Sequence, residues 1–107
     1  MTPAIAYTVI CNIATDEKAA AWVNWLQDGH MAAVMAGGAS SATLSQRDDA
    51  DSTGTTYEVR YFFPSRAVFD HYVTHHAPAL RAEGLALFPP TDGFIYSRTI
   101  AEVIVTI

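Results

Sequence analysis

Thr55-Thr56-Tyr57-Glu58-Val59-Arg60-Tyr61-Phe62-Phe63 has the period-two pattern of a half-buried β-strand. Tyr57, Val59, Tyr61 and Phe63 share one side of it, and Glu58, Arg60 and Phe62 share the other. Pro64 ends the strand because it donates no N–H, and Ser65 can cap the helix that follows. In that helix Phe69, Tyr72, Val73, His76 and Leu80 fall on one face. Pro78 disfavours helix at Ala77, so a kink or restart is expected there. Pro89-Pro90 closes the region, and residues 93–107 read as a long final strand whose end can run past the domain edge.

Upstream, Asp48-Asp49-Ala50-Asp51-Ser52-Thr53-Gly54 is a polar hairpin loop after a less hydrophobic strand over residues 42–47. Residues 4–13 are rich in β-branched side chains and read as a central strand. Thr15 can cap a helix with Asp16 and Glu17 at the positive end of its dipole. That helix is expected to run to Gly37-Gly38, with Trp22, Val23, Leu26, His30, Ala33 and Val34 on one face. The order is strand, helix, strand, strand, helix, strand. It predicts a single α+β domain over 1–107, a βαββαβ ferredoxin-like antiparallel sheet with two helices on one face. The other face would be bare, and two such faces meeting would make a dimeric α+β barrel.

Composition supports the dimer. Half of the 107 residues are hydrophobic and only 16% are charged, a low share for a small domain with much surface to wet. A homodimer hides the surplus. The six Lys and Arg are dispersed in a chain of net charge -5, which argues against nucleic acid as a partner. No membrane partner is expected either, since no basic amphipathic stretch and no bilayer-length apolar run occurs. No signal-peptide pattern is evident, and Cys11 is alone, so a cytoplasmic setting is expected.

Three segments carry a family resemblance. They are Trp22-x-x-Trp25-Leu26-x-x-x-His30, then Gly54-Thr55-Thr56-Tyr57-x-Val59-x-Tyr61-Phe62, then Tyr72-x-x-x-His76-Ala77-Pro78-x-Leu80 with Phe88 downstream. Together they resemble an uncharacterised bacterial domain-of-unknown-function family of the dimeric α+β barrel superfamily. That superfamily includes cofactor-independent quinol monooxygenases, haem-degrading monooxygenases and small-lactone isomerases. The resemblance implies fold and dimer, and carries over no catalytic residue. It also implies that a small ligand would sit between the helices and the sheet.

Trp22, Leu26, His30, Tyr57, Tyr61, Tyr72 and His76 are the expected lining of such a ligand site. His30 and His76 lie mid-face on their helices and are the candidate catalytic residues, because imidazole titrates near neutral pH. The competing account makes them core histidines bonded to backbone or to tyrosines. An apolar cavity with Tyr, Trp and imidazole suits an aromatic or polyketide-like molecule. Its chemistry would be monooxygenase-like or isomerase-like, with proton transfer by His30 or His76 assisting oxidation of an electron-rich ring by O₂. The alternatives are a non-catalytic dimeric protein-interaction module, or a haem-binding protein with His76 as ligand.

Other motifs are read as structural. His71 and His75 are one turn apart but lack a third metal ligand, so a solvated face is expected. The segment from Asp49 starts like a calcium loop, but Arg60 stands where a bidentate Glu belongs. Cys11 should be a buried, inert thiol. Trp25 lies off the main stripe and is expected at a rim or interface. No phosphate loop, dinucleotide fingerprint or nucleophile elbow occurs, and neither a cofactor nor a metal is expected.

Overall fold

The computed structural model describes residues 3–48 and 53–107. Four strands, β1 (Ile5–Ile13), β2 (Ser41–Gln46), β3 (Thr55–Phe63) and β4 (Phe94–Glu102), form one antiparallel sheet in the order β2-β3-β1-β4. The βαββαβ order holds. The sheet itself is open, with β2 and β4 as its two edges, so the expected barrel is corrected to an uncurled four-stranded sheet. Most of the hairpin loop and the calcium-like segment lies outside the described residues.

Both helices break. The first comprises α1 (Asp16–Trp25), a π-turn over Leu26–His30 and α2 (Met31–Ala36). Thr15 Oγ1 accepts from the Lys18 N–H at 3.3 Å and so starts α1 as the sequence implies. The interruption was not expected. Asp28 (φ -91°, ψ 30°) and Gly29 (φ 131°, ψ -25°) leave helical geometry, and only glycine reaches that φ cheaply. The second comprises α3 (Arg66–His75), capped by Ser65 Oγ on the Val68 N–H at 3.2 Å, and α4 (Ala77–Leu87). His76 forms the joint (φ -121°, ψ -44°), at the break Pro78 calls for. β4 stops at Glu102, short of the predicted Ile107, although the Val103 N–H still donates to the Ala4 carbonyl at 2.9 Å.

Strand alternation sorts the two faces. Ile5, Tyr7, Cys11, Ile13, Val59, Tyr61, Phe63 and Phe94 point at the helices and are buried. They meet Trp22, Leu26, Val34, Phe69 and Tyr72 in one core. The open face carries Thr8, Ile10, Glu58, Arg60, Phe62 and Ile95. There the Arg60 guanidinium lies over Thr8, its Nε donating to Thr8 Oγ1 at 3.2 Å. Ile95 is 67% exposed.

Cys11 sits in β1 with no exposed surface, and burial pushes its thiol up to about 12 against a smaller downward pull from the Tyr96 hydroxyl. Thiolate is the reactive form, so native Cys11 should label only as the fold opens. An aromatic disulfide reagent checks this: reaction is expected to track unfolding, and prompt stoichiometric labelling would contradict the placement.

Candidate functional site

A cavity opens between the helices and the sheet. Its apolar walls include Val9, Trp22, Trp25, Leu26, Val34, Val59, Tyr61 and Leu80. The free volume is about 50 Å³, room for a few waters. Established ligand pockets start at roughly 300 Å³. A ring-sized molecule therefore has to move part of the wall, and Leu85, about half exposed on α4, is the part facing solvent. Gly84 lets α4 approach closely, since a Cβ there would stand 3.2 Å from the Trp25 ring.

The π-turn shapes one end of the cavity. It brings His30 back onto Trp25, with the two rings stacked at 4.0 Å and inclined by 24°. Trp25 Nε1 in turn donates to Glu83 Oε1 on α4 at 3.3 Å, and its ring packs on Phe88. Burial lowers the His30 pKa below its ordinary 6.5, with Glu83 pulling weakly the other way. Nδ1 of His30 is buried and has no hydrogen-bond partner among the described residues. The result is a neutral imidazole with an unused polar atom, which is what a general base requires.

The other end is built on Tyr7. Its hydroxyl oxygen accepts from Arg81 Nη2 at 3.2 Å and from Arg98 Nε at 3.0 Å. Arg98 lies opposite Val9 in β4, on the helix side of the sheet. Arg81 comes from α4, and its buried Nε has no partner among the described residues. Tyr72 shares this end. Burial first, then Tyr7, raise its hydroxyl to about 12, while Arg81 and Arg98 pull it back. Burial likewise raises Tyr61 and Tyr96, and the Tyr96 hydroxyl donates to the Phe88 carbonyl at 2.9 Å. Burial thus disfavours the phenolate form of Tyr61, Tyr72 and Tyr96, and His30 is the imidazole that lines the cavity.

Of the seven residues read from the sequence, Trp22, Leu26, His30, Tyr61 and Tyr72 line the cavity. Tyr57 lies behind Trp22, their ring centroids 5.9 Å apart, and does not line it. His76 is elsewhere. At the break between α3 and α4 its ring turns toward Gly37, where a Cβ would come within 3.1 Å, and it lines a shallow surface groove with His71, Val68 and Gly38. The compartment expected to hold both His30 and His76 is therefore two separate places. The groove offers His76 no enclosing apolar walls of the kind a haem needs. His71 and His75 are exposed, 4.4 Å apart, and no cluster of three potential metal ligands occurs among the described residues. No helix among those residues is long and apolar enough to cross a membrane. Trp25 proves to be a cavity wall. The sequence reading missed Tyr7, Arg81 and Arg98. One signal was available for Arg98: β4 alternation places Phe94, Tyr96 and Arg98 on the inward side.

A family model described as a domain of unknown function (DUF4286) matches residues 4–104. No curated protein matches the chain. Solved structures share its fold. A dimeric ferredoxin-like protein from an uncultured marine organism superposes with TM-score 0.79 at 9% identity, covering 98% of this chain and 99% of that one. SnoaB, a cofactor-independent oxygenase from Streptomyces nogalater, gives 0.69 at 10% identity, covering 98% and 97%. A dimeric ferredoxin-like protein of unknown function from Thermobifida fusca gives 0.63 at 14%, covering 98% and 93%. At these identities the likeness speaks for the fold alone.

Proposed function

The chain belongs to the DUF4286 family, and from its cavity we propose that it is a homodimeric protein that binds a small aromatic molecule between helices and sheet. The observation that carries this reading is the pairing of apolar, ring-lined walls with two buried polar atoms, His30 Nδ1 and Arg81 Nε, that have no hydrogen-bond partner among the described residues. A merely structural core satisfies such atoms. Titration with a hydroxylated naphthalene should quench Trp22 and Trp25 saturably, and Gly84→Leu, which drives a side chain at Trp25, should abolish the quench. If no aromatic in a broad screen quenches saturably, the reading fails.

The neutral His30 favours a reaction class as well. Taking a proton from an electron-rich phenol or enol leaves a carbanion-like ring that O₂ can attack. One oxygen atom stays on the ring carbon as a carbonyl and the other leaves as water; the substrate gives up the two hydrogens of that water and all four electrons that reduce O₂. The fold shared with SnoaB, a cofactor-independent oxygenase, supports testing this class first. An oxygen electrode with hydroxylated anthrone-type rings would show uptake dependent on His30.

The dimer is proposed through the open sheet faces. Two of the fold relatives are described as dimeric, and the open face here carries Ile10, Phe62 and the exposed Ile95 among polar residues. Glu58 and Arg60 make the interface mixed, with charges paired or hydrated. Light scattering at micromolar concentration should give twice the 11.6 kDa chain mass, and a clean monomer would refute the pairing.

A further inference from the structure

We infer that the ligand of this cavity is an anion whose charged oxygen, a carboxylate or an aromatic enolate or phenolate, seats among Arg81, Tyr7 and Arg98. The inference rests on the aromatic-binding reading above and names its ligand class. Two guanidiniums from different elements, Arg81 on α4 and Arg98 on β4, both spend a hydrogen bond on one phenol oxygen. An arginine with a buried guanidinium nitrogen, as Arg81 has, normally reaches a carboxylate or phosphate, which matches its charge and its fork of donors. Among the described residues both arginines are found donating to Tyr7.

Counting donors shows what is left over. A phenol oxygen has two lone pairs and one proton. Both lone pairs of Tyr7 are taken by the arginines, so its O–H remains to be donated. Arg81 Nε is a second donor, buried and without a partner among the described residues. Both point to an acceptor, and the two cationic charges beside them favour a negative one. The chain as a whole carries -5, so this cationic end is a local arrangement, set against apolar walls that strengthen any charge pairing inside them. His30 lines the same cavity and would meet the ring, or its acidic C–H.

Benzoate and benzamide are near-isosteres that differ in charge, and 4-nitrophenol reports its own ionisation by colour. The wild-type protein should bind benzoate at least tenfold more tightly than benzamide, followed by tryptophan quenching at low salt. It should also turn 4-nitrophenol yellow at a lower pH than buffer does. Arg81→Gln and Arg98→Gln should each erase the benzoate preference, bringing benzoate affinity down to that of benzamide measured in the same variant. Arg98 is exposed on an edge strand, so its variant should keep the wild-type melt even if Arg81→Gln does not. A benzoate preference without the colour shift assigns the seat to carboxylates, and the reverse assigns it to phenolates or enolates. If benzamide binds as well as benzoate, with no effect of either arginine and no colour shift, the cavity reading stands and the anion inference falls. If no probe binds at all, both fall.

Discussion

Phe63→Ala is expected to lower the unfolding free energy by about 3–5 kcal/mol, the range for emptying a buried aromatic site. Phe63 has no exposed surface. Its ring meets Phe69 edge-on at 5.1 Å and Tyr72 at 5.0 Å, so it holds α3 to the sheet. Those rings cannot collapse into the hole without dragging α3, because Ser65 fixes the start of the helix two residues downstream. The cost should therefore fall near the top of the range. The neighbouring Phe62→Ala is the internal control. Phe62 is on the open face and only half-buried in the isolated chain, so its loss should weaken dimer formation more than the fold of each protomer. Urea denaturation at several protein concentrations separates the two. A cost under about 1 kcal/mol for Phe63→Ala would contradict the helix–sheet packing.

The elements were legible in the sequence because local physics decides them. Alternation in 55–63, hydroxyl caps at Thr15 and Ser65, and the break at Pro78 each act over a few residues, and each appears where expected. Closure of a sheet depends on strand number, tilt and register together, none of which a hydrophobic pattern encodes, so a barrel was inferred where the sheet is open. A single glycine within a helical run is usually tolerated, which hid the turn at Gly29. His76 fell on the right helical stripe, but the break that Pro78 imposes swings it out of the periodicity that placed it there. Apart from the β4 alternation that turns Arg98 inward, the Tyr7, Arg81 and Arg98 cluster had no signature in spacing. Its members lie on three elements and meet only because β1 pairs with β4 and α4 crosses over them.

His30→Phe is expected to abolish binding of a ring ligand while leaving the protein as stable as the wild type, or more stable by about 1–2 kcal/mol. The second half follows from the orphaned Nδ1. A buried polar atom without a partner costs of the order of 1–3 kcal/mol, and a phenyl ring carries no such atom. Phe also keeps a flat ring on Trp25, now at 4.0 Å from the imidazole, and the slightly larger side chain has about 50 Å³ of free space to enter. That same bulk fills the ligand's room, and the base is gone. The pH profile supplies an independent check. Burial depresses the His30 pKa in the folded state, so below the ordinary 6.5 the unfolded chain binds a proton more readily than the native one. The stability due to the neutral imidazole is thus complete above that pH and is lost as pH falls through the depressed value. Glu83 limits the depression without reversing it. Arg81 lines the same cavity. The wild-type melting temperature should fall from pH 7 to pH 5 by more than that of His30→Phe, and Glu83→Gln should widen the gap. A variant that is clearly destabilised at pH 7, or one with an unchanged acid slope, would show that His30 is a satisfied core residue and not part of a binding site.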